Sequence, residues 1–402
     1  MTSPIATRSE AIARLSACLP MTGSVYAQWR NTDFGPGGGN RVSGLSPWLR
    51  HRFVLESDVI DAAVAEHGIE AAEKFIQEVC WRSYWKGFLE RRPVHWHDYC
   101  QARSALIANA RQYRDLGARL ARAEHGQTGI ECFDSWVNEL IEFGYLHNHA
   151  RMWFASIWIF TLELPWALGA DFFLRHLLDG DPASNTLSWR WIAGYHTPGK
   201  TYLARASNIA RYTNHRFSPG HALANDAPAP EGVERPPLEA VPRAVEWSCS
   251  EQTGLLITEE DLNPESLFGH PNWAATIALQ ATQSRSPHPV ADQVDAFSQQ
   301  GLTDALGRNE GRCPLGVLGI DTPRQRHQVC ALMRQTGVQE WLTPWVPTGP
   351  SADALGLLSS QLQADGIYLK PVPRDWDLSV WPHATHGFFR FWKAIGPMLA
   401  DR

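Results

Sequence analysis

Three short runs carry side chains that are costly inside a protein unless they meet a ligand. In GYLHNHARM (144–152), Asn148, Arg151 and Met152 follow one another at spacings of three and four and so share one helix face. An inward amide, guanidinium and thioether suit a polar aromatic ligand better than a core. In EVCWR (78–82), Glu78, Trp81 and Arg82 also share a face. A carboxyl group beside an indole suits a stacked pyrimidine with a hydrogen-bonding edge, while the plainer reading is an i,i+4 pair of Glu78 with Arg82 next to a core Trp. DGDPASNTLSWRW (179–191) adds Asp179, Asp181, Asn185, Trp189 and Trp191. Upstream, SGLSPWL (43–49) offers the Ser43 and Ser46 hydroxyls and free N–H groups ahead of a helix, a setting that suits a diphosphate, with Arg41 near enough to neutralise its charge.

The elements that must position these residues are helical in the first half. Ser57 is the expected N-cap of DVIDAAVAEHG, and AAEKFIQEVCWRSYWKGFLERR follows with apolar residues at helical spacing until Pro93 stops it. DYCQARSALIANARQYRDLGARLARA, FDSWVNELIEFGYL, HNHARMWFASIWIFTLEL and ALGADFFLRHLLDGD read as further helices, and no alternating strand is expected before residue 217. Residues 218–244 are rich in Pro, Ala and Gly and read as a linker. From 245 to 402, five short apolar runs at 254–258, 275–281, 315–320, 340–345 and 367–372 alternate with helical stretches, the rhythm of βα units around a parallel sheet. No G-x-G-x-x-G follows the first of them. WPHATHGFFRFWKAI is expected to close the chain as a docking helix.

In this order, YAQWRN (26–31), SGLSPWL, EVCWR, GYLHNHARM and DGDPASNTLSWRW resemble the motifs of the flavin-binding helical domain of the photolyase and cryptochrome family. The resemblance implies an all-helical FAD-binding domain over 1–217, followed by a Rossmann-like α/β domain. It implies cofactor contacts from Tyr26, Ser43, Leu45, Ser46, Arg82, Asn148, Arg151, Asp179, Asp181 and Asn185. It places Glu78, Trp81, Asn148, Met152 and Trp191 against a lesion, and Asn185 beside flavin N5, where repair members of the family also carry Asn. Trp189 and Trp166 match the proximal and middle members of the family's electron relay. Ala123 stands where the distal Trp is expected, and Trp153 and Trp158 offer another exit. In the family an α/β domain leads. Here GFFRFWKAI resembles the end of that leading domain, so 245–402 is expected to be the family's antenna domain in swapped order. The antenna pigment, if any, is unspecified.

Composition narrows the roles. The formal net charge is -6, so nucleic acid must be held by a local patch, for which Arg41, Arg50, Arg52, Lys86, Arg91, Arg92, Lys200, Arg205, Arg211 and Arg216 are the candidates. Seven widely spaced cysteines with no C-x-x-C point to reduced thiols, no metal site and a cytoplasmic chain, and no long apolar run predicts a membrane span. The leading expectation is a lyase that repairs DNA carrying pyrimidine dimers, cyclobutane rather than 6-4, single strands included. The alternative is a blue-light sensor that signals to a protein partner without repair.

Overall fold

A computed structural model describes residues 4–400 apart from 198, 221, 222 and 234. Its first half is helical: α1 (Arg8–Cys18), α2 (Ser24–Trp29), α3 (Ser46–Arg50), α4 (Glu56–His67), α5 (Ile69–Glu90), α6 (Val94–Gln112), α7 (Arg114–Glu124), α8 (Glu131–Phe143), α9 (Asn148–Ser156), α10 (Trp166–His176), α11 (Pro182–Ile192) and α12 (Ala206–Tyr212). The second half holds β1 (Thr253–Thr258), α13 (Glu265–Phe268), β2 (Ala275–Gln280), α14 (Asp292–Arg308), β3 (Pro314–Gly319), α15 (Pro323–Gln335), β4 (Glu340–Pro344), α16 (Pro350–Ala364), β5 (Tyr368–Val372), α17 (Asp375–Val380) and α18 (Phe388–Ala400). The five strands are parallel in the order β3-β2-β1-β4-β5, so the strand order reverses between β1 and β4. The helical domain followed by an α/β region matches the fold expected from the sequence. Among the described residues no helix is long and apolar enough to cross a membrane.

Local chemistry fixes the ends of the helices that carry the motifs. α8 stops at Gly144, whose φ of 64° is left-handed and whose missing Cβ would stand 2.7 Å from Leu178 Cγ. That stop releases the chain into Tyr145–His147 and sets where α9 begins. α11 starts on Asp181, which accepts from Ser184 N at 2.9 Å, with Pro182 at the first helical position. Gly169 lets α10 and α11 approach closely, since a Cβ there would lie 2.3 Å from the Trp189 ring. α9 runs on into a π turn at Ile157–Thr161, a departure from α geometry that often borders functional sites.

Some boundaries differ from expectation. Ser57 does not cap α4; it lies inside the helix, and Asp58 reaches back to the Leu55 N–H at 3.2 Å instead. The long stretch after Pro93 divides at Tyr113, whose backbone is extended. α1 lies against α14, with Ala6 N donating to Gln300 Oε1 at 2.8 Å and Arg8 N to Asp304 Oδ2 at 3.0 Å. The segment from 218 to 252 contains no helix or strand among its described residues other than a single 3-10 position at Gly220, yet it is pinned to the body. Ala224 N donates to Thr161 Oγ1, Glu239 N donates to Arg91 O, and Trp247 packs edge-on to Phe268.

The two halves meet through charge as well as apolar packing. Arg50 grips Glu260 with two bonds of 2.7 Å, and Arg52 grips Asp377 at 2.6 and 2.8 Å. Arg374 binds Asp261 at 2.6 and 2.8 Å, while Lys86 lies 3.0 Å from Asp181 and 3.6 Å from Glu260. All of these side chains are buried. Glu260 and Asp261 follow β1 directly, at the carboxyl edge beside the reversal of strand order, where doubly wound sheets usually take ligands. In this chain that edge is filled by ion pairs to the helical domain. Arg50, Arg52 and Lys86 therefore cannot belong to an exposed phosphate-binding patch, contrary to the sequence expectation: each is spent on a buried carboxylate.

Candidate flavin site

α5 is the spine of the helical domain, packing against α2, α4, α11, α17 and α18. The face of α5 bearing Glu78, Trp81 and Arg82 lines a cavity of about 910 Å³, near the top of the range for small-molecule and cofactor sites. α9 contributes Asn148, Arg151 and Met152 to the same cavity. Asp179, Asp181, Asn185, Trp189 and Trp191 enter from the turn before α11 and from α11 itself. Tyr26, Ser43 and Ser46 complete the wall. Separate motifs thus converge on one hollow. Leu45 does not line it. Its side chain is fully buried in the core, and its N–H is directed at Ser43 Oγ at 3.3 Å. Trp166 is also elsewhere, on a second apolar hollow beside Tyr195 and Phe160.

The polar groups are held by one another. Arg151 makes a two-pronged contact with Asp179 at 3.0 and 2.8 Å, donates to Leu146 O at 2.9 Å, and lies 5.4 Å over the Tyr145 ring. Arg82 does not pair with Glu78. It spans Glu56, Asp181 and Arg50 O at 2.9, 2.9 and 3.1 Å, and Glu78 is bound by Arg30, which caps the end of α2. The i,i+4 pair read from the sequence is therefore absent: both partners are taken by residues from other elements. Burial alone would raise the Asp181 carboxyl, but Lys86, Arg82 and Arg50 override it and hold it well below the usual range. Burial lifts Glu78 above the usual carboxylate range, opposed by Arg30. His196, also on the wall, is driven down to about 4 by burial and by Arg190, Arg235 and Arg92, so it is neutral at pH 7.

These residues fit a flavin dinucleotide. Asn185 Nδ2 donates to Ala170 O at 2.8 Å, which leaves its amide oxygen as the polar atom available to a ring N–H. Ser43, Ser46 and Lys200 on the same wall can meet phosphate oxygens, and apolar Phe75, Leu49 and Trp189 can cover flat rings. Trp189 stands edge-on to Phe173 at 5.1 Å and to Trp158 at 6.3 Å. Sequence reasoning missed Arg30, His196, Gly387, Phe388 and Phe389 on this wall, and had Lys200 only as a patch cation. Arg30 lay inside YAQWRN and Gly387–Phe389 inside GFFRFWKAI, but neither run by itself pointed to the cavity.

A helical domain with a cavity of this lining suits a dinucleotide cofactor, and comparison shows what the domain is similar to. Residues 75–219 match the family described as the FAD binding domain of DNA photolyase. A deoxyribodipyrimidine photo-lyase of Streptomyces griseus is 32% identical over 160 residues, 40% of this chain and 33% of that protein. The Escherichia coli protein of the same name is 29% identical over 165 residues, again 40% of this chain and 33% of the other. Over residues 75–219 the helical domain is thus similar to the FAD-binding domain of the photolyase/cryptochrome family. The chain spans about a third of the length of these curated relatives. Among solved structures, a class III photolyase of Agrobacterium tumefaciens aligns with a TM-score of 0.44 at 24% identity, over 52% of this chain and 43% of that one. A Synechocystis cryptochrome aligns with a TM-score of 0.43 at 22% identity over the same shares.

Proposed function

We propose that the protein is a light-driven lyase of photolyase type that splits cyclobutane pyrimidine dimers in DNA, single strands included. The supporting observation is that Glu78, Trp81, Asn148, Met152 and Trp191 line the same cavity as Arg82, Arg151, Asp179, Asp181 and Asn185. A lesion and the cofactor would then share one hollow. FAD held here in its reduced state would supply light-driven one-electron chemistry with no net oxidation.

The chain's own residues do the rest. Trp81 and Trp191 offer indole faces for the two pyrimidines. Glu78, raised by burial and bound by Arg30, keeps carboxyl oxygens on the cavity wall that can accept from a pyrimidine N–H. Asn185 accepts from a ring N–H without adding charge, and Arg151 with Asp179 fixes the cofactor's orientation. Trp189, with Trp158 against its edge, would carry electrons inward to restore the reduced state; Trp158 Nε1 donates to Pro165 O at 3.0 Å, next to Trp166. The relay proposed from the sequence as Trp189 then Trp166 gains Trp158 as its intermediate.

The same reading divides the chain at 1–217, 218–244 and 245–402 and takes the last part as the family's α/β domain in swapped order, supported by the all-parallel sheet and by α18 packing on α5. A pigment at the β1/β4 reversal would have to displace buried ion pairs, so any antenna would sit elsewhere. Cytoplasmic residence belongs to this proposal and is supported by the seven free cysteines.

A second reading, a light sensor without repair, is favoured by one observation: Phe388 of α18 covers Trp81. Illuminating the reduced, FAD-loaded protein with dimer-bearing single- and double-stranded DNA separates the two. The lyase reading expects loss of dimers, at least in single strands. Full FAD occupancy with no loss of dimers in either would overturn it in favour of the sensor.

A further inference from the structure

The first turn of α18 reaches into the cavity of the helical domain: Gly387, Phe388 and Phe389 line its wall together with Trp81 and Trp191. Phe388 is 3% exposed, and its ring lies 3.8 Å from the Trp81 ring at 8°, a face-to-face stack. That is the position a flat base would take on the indole. Tyr84 stands edge-on to both rings, at 5.5 Å from Trp81 and 5.8 Å from Phe388, and Trp85 lies tilted at 5.3 Å from Trp81. Trp81 is thus surrounded, and one ring face cannot hold Phe388 and a pyrimidine together.

Resting on the lyase reading above, the geometry points to Phe388 as a specificity-determining residue: it occupies the Trp81 stacking seat in the resting protein, and only a ligand that displaces the start of α18 gains that seat. The segment is built to move locally. Thr385 is half-buried, His386, Gly387 and Phe389 are exposed, and Phe389 is 75% exposed. Deeper along α18, Phe391, Ile395 and Leu399 are buried and keep the helix anchored. Before Phe388, the backbone is tethered by two bonds, from Tyr84 Oη to His386 O at 2.5 Å and from Arg92 Nη2 to Thr385 O at 2.8 Å.

A ligand must prefer the open state to shift it. Arg390, in the first turn of α18, and Arg235 are exposed and act electrostatically on His386, and neither has a carboxylate partner among the described residues. A phosphate-bearing strand finds those cations at the plug, whereas a free base or nucleoside does not. Displacement would therefore favour a base carried on a strand over the same base alone.

The test is dark binding of a dimer-bearing single-stranded oligonucleotide by the FAD-loaded protein and by Phe388→Ala, with Phe388→Leu as the variant that keeps apolar volume but loses the flat ring. A plug that is closed most of the time weakens apparent binding by the open fraction, so Phe388→Ala is expected to bind at least about tenfold tighter, with Phe388→Leu between. Equal affinity of the folded forms would overturn the inference. If no form binds the oligonucleotide, the lyase reading fails separately, and hydroxyl-radical oxidation of Trp81 without DNA decides the plug. Faster oxidation in the variants supports it, and equal oxidation overturns it.

Discussion

Replacing Arg50 with methionine is expected to destabilise the folded chain by about 3–5 kcal/mol, because it leaves Glu260 in the interior without its two-pronged partner. Arg50 is 1% exposed; besides its bonds to Glu260 it donates from Nε to Gly180 O at 3.0 Å, in the turn that carries Asp179 and Asp181. The loss therefore reaches both the domain contact and the floor of the flavin cavity. For a chain of this size such a change corresponds to roughly 4–6 °C in melting temperature. The double variant Arg50→Met with Glu260→Leu should recover most of it, since removing both charges also removes their desolvation cost.

The pair also fixes a pH window. Burial alone would raise Glu260, but Arg50 and Lys86 override it and hold it at about 2. A carboxylate depressed on folding contributes stability that is present above its unfolded value of about 4.3 and is lost as pH falls. The advantage of the native pair over the double apolar variant should thus fade between about pH 4.3 and 2. Denaturant melts of the three proteins across that range check it. A single variant that loses less than about 1 kcal/mol at neutral pH would show that Glu260 is not held as described.

Replacing Arg151 with leucine is expected to weaken FAD binding by about 30- to 1000-fold, or 2–4 kcal/mol. The guanidinium holds Asp179 by two bonds, the chain at Leu146 by a third, and the Tyr145 face. Without it, the Asp179 carboxylate faces the cavity uncompensated where an anionic dinucleotide must enter. Arg151→Lys should fall between, since an ammonium keeps the charge but lacks the planar fork. Titration of the apoprotein with FAD, followed by flavin fluorescence, gives the three constants. A change of less than about threefold in the leucine variant would remove Arg151 from the cofactor site.

What the sequence made legible was local. Asn148, Arg151 and Met152 could be placed on one face because helix periodicity governs residues three and four apart. The five apolar runs of the second half became β1 to β5 because each lies between turn signals at strand length. The pairing of those side chains was not legible. Glu78 and Arg82 sit at ideal spacing for each other, yet Arg30 and Asp181 outcompete that contact across the fold. Arg50 and Lys86 look like surface cations until β1 delivers Glu260 beside them. The plug was hidden for the same reason: Tyr84 and His386 are 302 positions apart, and nothing near either one announces the other. GFFRFWKAI could be read as a docking helix, but not where it docks.

The central claim is that residues from α2, α5, α9, α11 and the loop before α3 form one flavin seat. It is tested most directly by the visible absorption spectrum of the purified protein, after incubation with excess FAD and removal of free cofactor. A bound flavin spectrum approaching one FAD per chain is the expected result. A folded, cooperatively melting protein that stays colourless would contradict the account.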